Sequence, residues 1–200
     1  MRIENTEVFG LERAIRASGY PMQKDDYSET RAKRLASCKP GTGHDSFLKG
    51  IVVICDITAP QYWWLQFQRY HFWHGTGRDT LTDIVSSESK MHRILKMDIS
   101  EQCNKYVDVG VIKNLKTLIN NYNKIKKLGE NDKTLYQIII ANTPMGLMLK
   151  AAVTMSYLQI KTIRLQRSGH KLEEWAYFCD WADRLPKFKE LVMGVQTNEP

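Results

Sequence analysis

Ile51-Val52-Val53-Ile54-Cys55 is an unbroken apolar run, mostly β-branched, bounded by Gly50 on one side and Pro60 on the other. Nothing else in the chain narrows the choice of fold so much. β-branched side chains pack well on a pleated surface, and the run is far too short for a membrane helix, so a strand is predicted over residues 50–57. Pro60 then opens a helix across residues 61–69, because the first helical turn tolerates a residue without an N–H. On that helix Tyr62, Leu65, Gln66 and Arg69 share a face by i, i+3, i+4 spacing, which puts a guanidinium on a partly apolar stripe and calls for an anionic partner.

The remaining pattern is mixed. Val8, Leu11 and Ile15 give residues 6–18 a helical period that stops at Gly19 and Pro21, and residues 29–36 read as a short basic helix ended by the Lys39-Pro40-Gly41-Thr42-Gly43 turn cluster. Residues 71–84 are polar with Gly75 and Gly77, hence a loop. Leu115, Leu118, Ile119, Tyr122 and Ile125 mark a helix over residues 114–128, and residues 133–141 continue as another. Residues 148–155 read as a strand, 156–166 as a helix, and 171–184 as a final helix broken by Pro186. There is no repeat, low-complexity tract or Ser/Gly linker, so a single α+β domain over residues 1–200 is expected, with residues 1–7 and 188–200 as peripheral tails.

Composition limits the function classes. Two hundred residues with 42% hydrophobic content can bury a sizeable core. No apolar run approaches the roughly 20 residues of a membrane helix, and the first sixteen residues carry charges where a secretory signal is apolar, so no membrane partner and a cytoplasmic location are expected. Cys38, Cys55, Cys103 and Cys179 form no CxxC pair, which argues for reduced thiols and against a metal site. The formal charge of +7 favours anionic partners: nucleotides, cofactor phosphates or nucleic acid. Part of that excess, Lys113, Lys116, Lys124, Lys126 and Lys127, falls on the polar side of one amphipathic helix, where a solvated face also accounts for it.

Three segments carry a family likeness when taken in order. The first is Gly43-His44-Asp45-Ser46-Phe47-Leu48 ahead of the predicted strand; the second is Gln66-Phe67-Gln68-Arg69-Tyr70-His71 at the end of the aromatic helix. Ser156 to Arg167 followed by His170 and Glu173-Glu174-Trp175 is the third. Together they resemble the Gly-His-x-Ser stretch, the Gln-x-x-Arg-His-Arg helix end and the Asn-x-Arg-x-Leu…Arg…His-Ala-Gln-Trp-Glu region of the flavin-dependent thymidylate synthases. The likeness spans about residues 8 to 185. The chain departs from the pattern in several places: Lys49-Gly50 replaces a Glu-His pair, Tyr70-His71 replaces His-Arg, and the Ser-x-Asn-Glu-x-Ser-x-Arg motif has only His74 to Arg78 or, displaced, Ser87 to Arg93.

The resemblance implies a central sheet flanked by helices, a homotetramer with sites built at subunit contacts, and reductive C5 methylation of dUMP, or a close pyrimidine modification, using FAD, NADPH and methylenetetrahydrofolate. It implies Arg167 as the group that polarises the pyrimidine; Gln66, Arg69, Arg78, Ser87, Ser89 and Arg93 beside it around the nucleotide; and His44, Ser46, Arg69, Tyr70, His71, Ser156, Gln159 and His170 on the flavin side. A second reading is a relative without catalysis that binds a nucleotide or nucleic acid through the same basic pocket. A third is a structural protein that reuses the fold.

Each residue also has a plainer use. His44 can close the 39–43 turn, Arg69 can pair with Glu88, and Tyr62, Trp63, Trp64, Phe67, Phe72 and Trp73 can be core rather than a stacking surface. Arg164, Arg167, His170 and Lys171 can answer a helix dipole.

Overall fold

The computed structural model describes residues 1–38, 42–71 and 83–192. Four strands form one antiparallel sheet in the order β1 (Arg2–Phe9), β2 (Val52–Pro60), β4 (Met148–Ser156), β3 (Asp83–Ser87). The helices are α1 (Leu11–Ala17), α2 (Glu29–Ala36), α3 (Gln61–Phe67), α4 (Lys90–Arg93), α5 (Ile99–Gln102), α6 (Val109–Lys127), α7 (Lys133–Ala141), α8 (Tyr157–Arg167), α9 (Glu173–Asp183) and α10 (Phe188–Val192). The fold class is α+β, as expected.

β2 and β4 pair from Val52 opposite Ser156 to Pro60 opposite Met148, and each leads straight into a helix, α3 and α8. Val53, Cys55, Ile57 and Ala59 alternate with less buried residues, and Ala151, Val153 and Met155 do the same on β4. One sheet face therefore packs with α1, α2, α3, α8, α9 and α10 in a single apolar cluster, while Ile54 stays 41% exposed on the other face. The continuous apolar run of β2 is thus buried on one side within the chain, as an antiparallel sheet permits.

A second, separate cluster joins Ile94, Ile99, Leu115, Ile119, Tyr122 and Ile139 under α4 to α7. α6 forms over nineteen residues because Asp108 accepts from the N–H groups of Gly110 and Val111 at its start and the period of its apolar residues matches 3.6.

Three expectations require correction. Residues 6–9 are not helical: β1 runs to Phe9, and the helix begins only at Leu11, after Gly10 turns the chain at φ 77°. A Cβ on Gly10 would lie 2.3 Å from the Gly50 carbonyl oxygen, so the joint requires glycine on two counts. The stretch expected as an N-terminal tail is placed in β1, where Thr6 accepts a bond from the Trp181 indole at 3.1 Å. The helix ending near Arg184 is not the last: Phe188, Leu191 and Val192 of α10 are buried in the main core.

Candidate functional site

The arginine at the end of α8 is where separate segments meet. Arg167 donates from Nε to the Tyr70 hydroxyl at 2.6 Å and from Nη1 to Gln66 Oε1 at 3.3 Å. Gln66 Oε1 also accepts from Trp175 Nε1 at 2.9 Å. The guanidinium carbon lies 4.4 Å from the Trp175 ring centroid and 5.4 Å from that of Tyr70, and the two rings meet edge to face. Such cation–π contacts are worth on the order of 0.5–2 kcal/mol and fix the plane of the guanidinium. His170 packs edge-on against Trp175, and its Nδ1 accepts from the Leu172 N–H, which shapes the turn between α8 and α9.

The sequence explains the convergence. Gln66 and Tyr70 are four residues apart, one helical turn, so the chain running from α3 into its terminal 3-10 turn at 68–71 aims both at α9. Trp175, fully buried, supplies the floor from α9. One turn earlier on α3, Tyr62 donates to the Glu174 carboxylate and accepts from Asn104 Nδ2 at 2.9 Å. Burial first, and then the Glu174 carboxylate beside it, push the Tyr62 hydroxyl well above its ordinary pKa, so it remains a donor.

Arg167 has no carboxylate within ion-pair distance among the described residues, whereas Arg164, one turn earlier, forms a two-pronged pair with Asp183 at 2.9 and 3.0 Å. The dipole reading therefore does not describe the two alike. A guanidinium has five N–H donors and this one uses two among the described residues, leaving three. The Gln66 amide N–H₂ and the Tyr70 O–H proton are further donors. The cluster is rich in donors over an aromatic floor, which suits a ligand with carbonyl or phosphate oxygens.

The remaining expected residues lie elsewhere. Ser156 and Gln159 are buried and spent on each other: Ser156 caps α8 by accepting from the Gln159 N–H at 3.3 Å, and the Gln159 side chain accepts from the Ser156 N–H at 2.8 Å. They stand toward the opposite end of α8 from Arg167, about 16 Å away for Ser156 and about 12 Å for Gln159 at 1.5 Å per residue. Their side chains form a capping box, and Ser156→Ala should lower stability by about 1 kcal/mol while leaving nucleotide affinity unchanged. Paired denaturation and ligand titrations check this, and a loss of affinity without a loss of stability would return Ser156 to the site.

His44 and Ser46 are exposed, and the turn there closes by backbone, Ser46 N–H to the Gly43 carbonyl at 3.1 Å. Between them Asp45, not singled out from sequence, is buried and holds Lys161 of α8 at 2.8 Å, with Lys161 Nζ also donating to the Ala36 carbonyl at 2.7 Å. Arg69 is exposed and makes no bond among the described residues, so its stripe on α3 splits: Tyr62 and Gln66 turn inward, Leu65 and Arg69 outward. Glu88, its suggested partner, pairs with Lys90 and with the Lys150 N–H. Ser87, Ser89 and Arg93 are exposed at the other end of α3, where Gln61 meets Met91. Arg78, Phe72 and Trp73 lie outside the described residues, as does the side chain of His71. Trp63, Trp64 and Phe67 are core, the first two in edge contact and Trp63 stacked on Phe67.

Three of the four thiols are held protonated by their surroundings. Burial, with Asp56 adding to it, pushes Cys55 up to about 12, and burial likewise raises Cys103 and Cys179. Among the described residues no group of His, Cys, Asp and Glu is arranged to hold a metal, and no helix is long and apolar enough to cross a membrane.

The fold is that of the flavin-dependent thymidylate synthases. Two solved structures of that enzyme, ThyX of Helicobacter pylori, each complexed with FAD and dUMP, are similar to this chain with TM-scores of 0.68 and 0.68 at 12% and 14% identity. In both, 97% of this chain is matched to 98% of the other. No family model matches the sequence, and a comparison with curated proteins gives no match.

Proposed function

We propose that this chain binds a dUMP-like pyrimidine nucleotide at Arg167, Gln66, Tyr70 and Trp175, and that it carries out reductive C5 methylation of that nucleotide or a close variant. The observation that carries the reading is the half-buried Arg167 guanidinium, fixed over two aromatic rings and lacking any carboxylate partner among the described residues. Pyrimidine carbonyls and a phosphate are rich in acceptors, and the cluster is rich in spare donors. A guanidinium held in place before the ligand arrives stabilises enolate charge on the ring without reorganising.

FAD fits this chain's residues in part. Tyr70, His170 and the Arg167 cluster suit a planar, phosphate-bearing ligand, whereas Ser156 and Gln159 are committed to the cap and His44, Ser46 and Arg69 present themselves to solvent, where a second subunit can meet them. Reduced flavin, replenished by NADPH, supplies the hydride when bound, and methylenetetrahydrofolate supplies the carbon. The sheet face on which Ile54 is 41% exposed supports self-association, proposed as a homotetramer, and the whole of residues 1–200 is proposed as one domain of a cytoplasmic protein.

A second reading is favoured by the same geometry: Tyr70 standing where the family pattern has histidine gives Arg167 a neutral partner that completes a binding surface without a second cation. In that reading the chain holds a nucleotide and performs no transfer. Titration with FAD and then dUMP separates the two. Flavin absorbance in the purified protein, plus thermal stabilisation by dUMP of about 2.7 kcal/mol at a hundredfold excess over Kd, is expected for the enzyme. Stabilisation by dUMP alone, with no retained FAD, selects the binder. No stabilisation by either ligand rejects both.

A further inference from the structure

Away from Arg167, α6 and the chain at 92–96 form the walls of an open groove of about 700 Å³. Asn120, Asn123, Lys124 and Lys127 lie on one face of α6 by i, i+3, i+4, i+7 spacing, with Lys126 on the rim and Lys96 on the opposite wall. Asn123 Nδ2 donates to the Leu95 carbonyl at 3.1 Å and so sets the distance between the walls. None of the four lysines makes an ion pair or hydrogen bond among the described residues, and no carboxylate lines the groove. Lys90 and Lys116, by contrast, are paired with Glu88 and Asp98.

The imbalance is regional. Residues 90–141 hold ten Lys and Arg against five Asp and Glu, five of the seven net positive charges of the whole chain. Three of those five carboxylates are occupied elsewhere: Asp98 with Lys116 and the start of α5, Asp108 at the start of α6, and Asp132 at the start of α7. The helix dipole favours lysines in the last turn of α6, which accounts for Lys124, Lys126 and Lys127 in sign. It does not account for Lys96 facing them across a gap.

We propose that this groove binds the phosphate backbone of a nucleic acid. Small-molecule pockets are enclosed; this one is open, and apart from Leu95 its apolar surface belongs to residues with polar or charged ends. That single side chain offers no apolar face to bury in a bilayer, so an anionic membrane would be held by charge alone, and vesicle capture is the competing outcome of the test. No Phe, Tyr or Trp lines the groove and the His92 imidazole is its one ring, so recognition falls mainly to phosphates, with the two asparagines as auxiliary donors. The site is distinct from the Arg167 cluster and does not depend on its assignment.

Fluorescence anisotropy with labelled mixed-sequence 20-nucleotide RNA and DNA strands tests the assignment on the full chain. With four lysines engaged, the logarithm of affinity should fall against the logarithm of salt with a slope of about −3, at roughly 0.7 per phosphate contact. The double variant Lys124→Gln/Lys127→Gln should bind about 25-fold more weakly at 0.1 M salt, about fivefold per contact, and its slope should flatten by about 1.4. Lys96→Gln, on the other wall, should lose about fivefold by itself. The charge-matched Lys33→Gln/Lys189→Gln control should stay within about twofold of the parent, since it removes no groove contact. Equal weakening in the control, affinity independent of salt, or no binding at low salt overturns the proposal. So does capture by anionic phospholipid vesicles, lost in the double variant, where oligonucleotides fail to bind.

Discussion

Arg167→Ala is expected to remove about 3 kcal/mol of nucleotide stabilisation, close to a hundredfold, while the fold survives. The substitution deletes the bonds to Tyr70 and Gln66 and the contact with Trp175, yet Gln66 keeps the Trp175 indole as a partner and the Tyr70–Trp175 contact does not pass through the arginine. Arg167→Lys sharpens the test. An ammonium retains the charge but cannot reach Tyr70, Gln66 and a ligand with a planar fork, so a conservative change should recover little. In a catalytic chain the loss falls on turnover of dUMP; in a binding chain it falls on dUMP affinity measured by calorimetry. Unchanged turnover and unchanged affinity together would take Arg167 out of the site and leave the cluster as packing.

The largest effect on stability should come from Lys161. Its ammonium and the Asp45 carboxylate are only 6% and 5% exposed at 2.8 Å, and removing one partner strands a charge in the core. Lys161→Met should therefore cost about 3–5 kcal/mol. For a chain of this length that corresponds to a fall in Tm of about 10 °C. The double variant Lys161→Met/Asp45→Leu should regain part of the loss, because two apolar side chains carry no stranded charge, although the Ala36 carbonyl loses its donor in both. Thermal melts of the three proteins decide it, and a single variant within 1 kcal/mol of the parent would show that water reaches the pair.

Much of this was legible in local pattern. α2 occupies residues 29–36 as its basic amphipathic period predicts, with Ser28 accepting from the Arg31 N–H at its start, and the β4–α8 joint falls at Ser156 because a capping serine ends a mostly apolar strand. Gln66, Tyr70, Arg167 and His170 were brought together as their order along the chain suggested. What stayed hidden depends on distance. Asp45 and Lys161 are 116 residues apart, and a lysine among Ile160, Ile163 and Tyr157 gives no sign of its partner. β3 is a short edge strand, Asp83–Ser87, with two serines and a mean polarity that reads as loop; only its pairing with β4 makes it a strand. β1 was concealed by Val8, Leu11 and Ile15, whose spacing is helical although Gly10 breaks the chain between them. Ser156 and Gln159 matched a motif in order and placement, while the reciprocal cap their side chains form follows from the Ser-x-x-Gln spacing itself.

The apolar cluster beneath α4 to α7 is separate from the one beneath the sheet. A region that rests on its own foundation can gain or shed surface charge with little disturbance to strand alignment elsewhere. The frame that aims Arg167 and the flank that concentrates positive potential can then diverge at different rates, each answerable to a different ligand.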